Sequence, residues 1–221
     1  GRVAEAEACW RRALELKPDH PETLNSLGNV LNRLGRADEA RPLLERAIQI
    51  QPRFAAAHNT LGVSLIALNR AAEGVRHFQR ALELQPRLVE AHYNLGLAAA
   101  DRGDFAAAIP HFAAALRHRP GHAGAELNWG VALALSDRLP EARPHFERAL
   151  RLDPESAPMR HAYARVLVNA GDFPAALDQL RDAQRLDPAL RGLHRDLAFA
   201  LERLGRTDEA RLHALEASRE R

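Results

Sequence analysis

A strict 34-residue spacing constrains this chain more than any other feature. Prolines stand at 18, 52, 86, 120, 154 and 188, and alanines at 13, 47, 81, 115, 149, 183 and 217, every interval being 34 residues. Such a period marks one supersecondary unit repeated along the chain. A third series runs Gly1, Gly35, Asn69, Gly103, Asp137, Gly171 and Gly205. Glycine, and after it Asn and Asp, best tolerate the left-handed conformation that closes a helix. The predicted unit is therefore helix, glycine-type turn, second helix, proline stop.

The first helix of each unit carries apolar residues at helical spacing, as in Leu27, Leu31 and Leu34 or Leu61, Leu65 and Leu68. One position within it is Gly28, Gly62, Gly96 and Gly130, then Ala164 and Ala198. A mid-helix glycine costs about 1 kcal/mol relative to alanine, so its recurrence points to close approach of the partner helix. That second helix supplies small residues at Ala40, Gly74, Ala108, Ala142, Ala176 and Ala210, followed on the same face by Trp10, Phe78, Phe112 and Phe146. Closely packed helix pairs with short loops stack into a solenoid whose units touch their neighbours.

The stretch VEAHYNLGLAAADRGDFAAAIPHFAAALRHRP, from Val89 to Pro120, resembles a tetratricopeptide repeat, from its leucine-glycine pair to its closing proline. The resemblance covers essentially the whole chain and implies an all-α, right-handed solenoid of antiparallel helix pairs. Residues 1–20 read as the second helix of a truncated repeat, 21–54, 55–88, 89–122, 123–156 and 157–190 as full repeats, and 191–221 as a terminal one. The aromatic usual near the start of the first helix is replaced by Leu24, His58, His92, Glu126, Arg160 and His194. Looser packing between units is the expected consequence.

Several chemistries are excluded or disfavoured. A net charge of +2 offers no field for nucleic acid. No apolar run approaches the ~20 residues that span a bilayer. Cys9 is alone, so neither an internal disulfide nor a cysteine zinc site is expected. Lys17 is the sole lysine among 31 basic residues, a bias best read as coding preference. Eleven histidines invite a metal reading. However, His77, His111, His145 and His213 share one repeat position and His58, His92 and His194 another. Like positions on successive units lie ~10 Å apart, whereas zinc ligands sit ~2 Å from the ion. His118 and His122 flank a proline turn, but two ligands lack a third. No phosphate loop or nucleophile elbow is present, and the acidic residues of the ADEA and TDEA stretches read as helix-start charges. The expectation is no catalysis, no metal and no cofactor.

At 100° per residue, the buried face of the helix beginning near Val89 is centred on Leu95, with Ala91, Ala99 and Arg102 beside it, and the opposite face carries Tyr93 and Leu97 with Asn94 on its shoulder. The resemblance implies that such faces line a concave groove holding extended or helical segments of partner proteins. Along the array the face begins polar at Asn25, Asn29, Asn32 and Asn59 and turns apolar at Val63, Ile66, Tyr93, Leu97, Leu127, Val131 and Leu135. Asn94 and Asn128 are the asparagines of an interrupted ladder completed by Ser26, Thr60, Ala162 and Asp196. Arg165 and Arg195 close the face with positive charge suited to a partner carboxylate. Lysine clamps for a terminal carboxylate, known in the family, are missing, since Lys17 lies beside a turn proline.

The expected function is thus a non-catalytic scaffold that takes a protein or peptide segment in its groove, without nucleic acid and without membrane insertion. One alternative is the substrate-recruiting repeat portion of a larger glycosyltransferase or sulfotransferase. Another is self-assembly through an open first-helix face formed by Val3, Ala6 and Trp10. No signal peptide is legible, but the chain opens without Met and inside a repeat, so compartment is left open, with the cytoplasm favoured.

Overall fold

A computed structural model of the protein describes residues 2–219. Among these residues the structure is helical throughout, with thirteen α-helices joined by short turns. Gly1, first of the turn series, lies outside the described residues. The chain divides into two compact units, Gly1–Arg119 and Pro120–Arg221. The first contains α1 (Arg2–Leu16), α2 (Pro21–Arg33), α3 (Ala37–Ile50), α4 (Ala55–Ala67), α5 (Ala71–Leu84), α6 (Val89–Ala100) and α7 (Phe105–His118). The second contains α8 (Ala123–Ala134), α9 (Leu139–Leu152), α10 (Ala157–Asn169), α11 (Phe173–Leu186), α12 (Leu193–Arg203) and α13 (Thr207–Arg219). Within each unit the helices pack as antiparallel pairs, α2 with α3, α4 with α5 and α6 with α7, then α8 with α9, α10 with α11 and α12 with α13.

The turns follow from backbone chemistry. Gly35, Asn69, Gly103, Asp137, Gly171 and Gly205 all adopt positive φ, between 59° and 77°. In each turn the next residue's N–H reaches back five positions, as from Arg36 to the Leu31 carbonyl at 2.9 Å and from Asp104 to the Ala99 carbonyl at 3.0 Å. This satisfies carbonyls that the ending helix would otherwise leave bare. The following helix is then started in one of two ways. Asp104 and Asp172 accept from the backbone N–H of Ala107 and Ala175. Arg36, Arg70, Arg138 and Arg206 instead fork onto Glu39, Glu73, Glu141 and Glu209 in the first turn. These pairs are exposed and contribute little individually, but they place negative charge at a helix N-terminus, where it is favoured. The acidic residues of the ADEA and TDEA stretches sit in first turns as expected.

The core is made by exchange of volume across each hairpin. Phe78, Phe112 and Phe146 are fully buried, and each lies against the glycine sixteen residues earlier: Gly62, Gly96 and Gly130. A methyl group added at Gly96 would stand 2.5 Å from Phe112 Cε1, a separation that no packed carbon tolerates. The recurrent glycines are thus the sockets into which the phenylalanines fit. Ala40, Ala108, Ala142 and Ala176 are fully buried, as small residues at a close helix contact must be. Leu95, Ala91 and Ala99 are buried as the helical wheel required. Arg102 is not: α6 ends at Ala100, so Arg102 falls in the turn and is exposed, beyond the last residue to which a 100° step applies.

Candidate functional site

In the first unit the outward face of α4 and α6 forms a shallow cavity of about 260 Å³. Val63, Ile66 and Ala67 line it from α4, Asn94, Leu97 and Ala98 from α6, and the Phe78 ring forms part of its floor. Val63, Ile66, Tyr93 and Leu97 are half-buried, and the Tyr93 ring lies against Phe112, centroids 6.1 Å apart. Asn94 Nδ2 donates to Asn59 Oδ1 at 3.0 Å, joining α6 to α4 across the face. Asn32 spends its amide on the Thr60 carbonyl at 3.1 Å and accepts from Ser64 Oγ at 2.8 Å. Asn29 is exposed, while the Asn25 side-chain oxygen is buried without a hydrogen-bond partner. Trp10, expected on an open face with Val3 and Ala6, packs against the buried cluster of Leu27, Leu31 and Leu44.

In the second unit Leu127, Asn128 and Val131 are half-buried on α8 and Leu135 is 49% exposed just past its end. Asn128 donates to the Gly124 carbonyl of its own helix at 2.8 Å. Leu135, Leu139 and Val166 contribute to a cavity of about 300 Å³ between the α8–α9 turn and α10. Arg165 and Arg195 are exposed but flank Asp196 at 3.9 and 3.4 Å, so part of the positive charge expected there is already met. His161 Nε2 donates to the Asp196 carboxylate at 2.7 Å. Burial works against the ionised carboxylate, but this bond and the charges of His161 and Arg195 prevail and hold Asp196 below the ordinary range.

The two histidine series meet across the hairpins, which a comparison of like positions along the chain does not reveal. His58 Nδ1 lies 3.0 Å from His77 Nδ1, His92 Nδ1 3.4 Å from His111 Nδ1, and His194 Nδ1 2.8 Å from His213 Nδ1. In the fourth full repeat the same site holds Glu126 with His145 at 2.7 Å and Arg148 at 2.9 Å. In the fifth, Arg160 reaches Asp182 at 3.0 Å and Gln179 at 3.4 Å. His58, His92 and Arg160 also donate to the carbonyls of Pro52, Pro86 and Pro154. The side chain standing where the family carries an aromatic therefore ties the proline turn to the second helix; a polar bridge occupies the place where looser packing was expected. The constant 19-residue offset between the two series was the available signal. Burial holds His58, His77, His111 and His213 below the ordinary histidine range. His122 and His118 do not pinch one site: His122 Nδ1 caps α8 through the Ala125 N–H at 3.2 Å, and His118 stacks beside His92.

Among the described residues no group of three or more His, Cys, Asp or Glu side chains could hold a metal ion, and no helix is long and apolar enough to cross a membrane. Tetratricopeptide repeat models match residues 1–57, 59–121, 98–157 and 162–221, and again 133–190. No curated protein sequence matches the chain. Among solved structures, Pseudomonas aeruginosa PilF superposes with a TM-score of 0.79 at 18% identity, covering 90% of each chain. TTC0263, a thermophilic repeat protein of Thermus thermophilus, gives 0.68 at 24% identity over 82% of this chain and 99% of its own. YrrB, a repeat protein with an unusual peptide-binding site, gives 0.60 at 20% identity over 81% and 92%. The chain belongs to the tetratricopeptide repeat family, whose fold serves generally as a protein-interaction scaffold.

Proposed function

We propose that the protein binds an apolar or amphipathic segment of a partner protein against the first-helix faces, without chemistry of its own. The observation that carries this reading is the cavity lined by Val63, Ile66 and Leu97 in the first unit, apolar where a helix face turned from its core should be polar. Its rim offers the paired amides of Asn59 and Asn94, groups able to exchange their mutual bond for one to a peptide backbone. In the second unit Leu127, Val131 and the exposed Leu135 are likewise apolar, and Arg165 and Arg195 supply positive charge. YrrB, similar in fold, has a peptide-binding site, which supports the use of this architecture for such a task.

A displayed library of amphipathic peptides selected on the full chain tests the reading. Selected peptides should lose about 2 kcal/mol of affinity, roughly thirtyfold, on Leu97→Asp or Leu127→Asp, with helicity by circular dichroism unaltered. Undiminished affinity in both variants would remove the apolar faces from the binding surface.

A further inference from the structure

We propose that Arg76 and Arg80, beside the His58–His77 pair of the α4–α5 hairpin, form a binding site for a carboxylate group from outside the chain. A shallow cavity of about 140 Å³ lies there, lined by His58, Glu73, Arg76, His77 and Arg80. It shares no residue with the α4–α6 cavity, so a segment held in that cavity does not depend on it. Two comparisons between repeats single this hairpin out.

The first concerns what meets one arginine. Arg46, Arg80 and Arg148 stand at a single repeat position on the second helix; Ala114, Asp182 and Glu216 complete the series and need no acid. Two of the three arginines are met by a carboxylate from outside their own helix. Arg46 forks onto Asp19 through Nε and Nη2, both at 3.0 Å, and Arg148 Nε donates to Glu126 at 2.9 Å. In the repeat that contains Arg80, the residues in register with Asp19 and Glu126 are Arg53 and His58, neither of which carries negative charge. Arg80 keeps only Glu83 of its own helix, 2.7 Å from Nη1. Its Nε and Nη2 have no hydrogen-bond partner among the described residues.

The second concerns its neighbour. Arg76 stands where the other full repeats carry Pro42, Pro110, Pro144 and Asp178, and the terminal repeat Leu212. It is exposed and makes no ion pair among the described residues. Like charges one helical turn apart, as Arg76 and Arg80 are, repel each other, and an anion between them relieves that repulsion. The nearby acids are already engaged: Glu73 accepts from both Nε and Nη2 of Arg70 at 2.7 Å, and Glu45 pairs with Arg41 at 3.2 Å. The missing group is a carboxylate, to whose oxygens two guanidinium groups offer charge-assisted donors. The α8–α9 hairpin contains the same combination built in, with Glu126 held by His145 and Arg148, the counterparts of His77 and Arg80.

The test is nuclear magnetic resonance titration of the isotope-labelled full chain with sodium succinate and, separately, with a triglutamate peptide, chloride keeping the ionic strength constant. The amide signals of Arg76, His77 and Arg80 should shift saturably. Saturation with either probe supports the proposal. The tighter of the two names the source, a free small carboxylate if succinate and an acidic protein segment if the peptide. Affinity should fall about tenfold or more in Arg76→Gln and in Arg80→Gln, the loss expected for a hydrogen bond to a charged group. Both arginines are exposed, so their replacement leaves folding intact.

A third variant, His58→Glu, supplies from within the carboxylate that Glu126 provides in α8–α9, and should close the site to both probes. Absence of saturable shifts with both probes overturns the proposal, as do equal shifts on adding chloride alone. So does unaltered affinity in either arginine variant, or undiminished binding in a folded His58→Glu.

Discussion

The hairpins α6–α7 and α10–α11 meet the same packing requirement with opposite divisions of volume. In the first, Gly96 opens a socket and Phe112 fills it. In the second, Ala164 and Leu180, both fully buried, share the task more evenly. The polar bridge differs in the same way: His92 faces His111 in one hairpin, while Arg160 reaches Gln179 and Asp182 in the other. Geometry is thus held constant while side-chain chemistry varies. A repeat position specifies a volume or a bridge rather than a residue, which explains how the spacing persists through so many substitutions.

Cutting the filled socket should have the largest effect. Phe112→Ala removes a whole buried ring and is expected to cost about 3–5 kcal/mol, more than Leu180→Ala in the other hairpin, as read from urea unfolding of each variant. If the two cost the same, the socket is not the dominant contact of α6–α7.

A smaller loss should follow from closing the socket. Gly96→Ala, despite its better helix propensity, is expected to destabilise by about 1–3 kcal/mol through overpacking. Combining it with Phe112→Leu converts the hairpin to the alanine-leucine division of α10–α11. The double variant should be more stable than the sum of the single effects predicts, with coupling of about 1 kcal/mol or more. Simple additivity would show that the two divisions of volume are not interchangeable.

The polar bridges should give the mildest effect, and one that depends on pH. His58, His77, His111 and His213 have folded-state values lowered chiefly by burial, so the unfolded chain binds protons more readily. Their contribution is complete above the unfolded value of about 6.5 and is lost as pH falls through it toward the folded values. Denaturant midpoints should therefore drop between pH 7.5 and 5.5, roughly one unit either side of that value. His111→Gln should flatten the drop, bringing α6–α7 closer to the histidine-free bridge of α10–α11. An unaltered pH profile in that variant would place the acid sensitivity elsewhere.

Much of this architecture is legible in the bare chain because a repeat reports each backbone requirement many times. Gly35 alone suggests a turn; Asn69 and Asp137 in register with it identify the left-handed residue that the turn demands, and all three adopt positive φ. The recurrence of Gly96 with Phe112 likewise encodes a contact between neighbouring helices. The candidate faces were legible to the extent that a helical wheel is, which separates Leu95 from Leu97 and fails at Arg102, where the helix has already ended. The bonds between Asn59 and Asn94 and between His92 and His111 were not. Each joins residues on different helices, and the relative register of those helices is set by packing of all the side chains between them. A 19-residue offset becomes meaningful only once the hairpin that closes it is in view.

The first-helix faces are the surfaces proposed to meet a partner. Fluorescence anisotropy of a library-selected peptide, titrated with the wild-type chain, Leu97→Asp and Arg80→Glu, tests this most directly. Leu97 lines the α4–α6 cavity, whereas Arg80 lies on the second helix α5, paired with Glu83. Binding should be lost in Leu97→Asp and stay at wild-type affinity in Arg80→Glu; retained binding in the first with loss in the second would place the partner surface on the second helices instead.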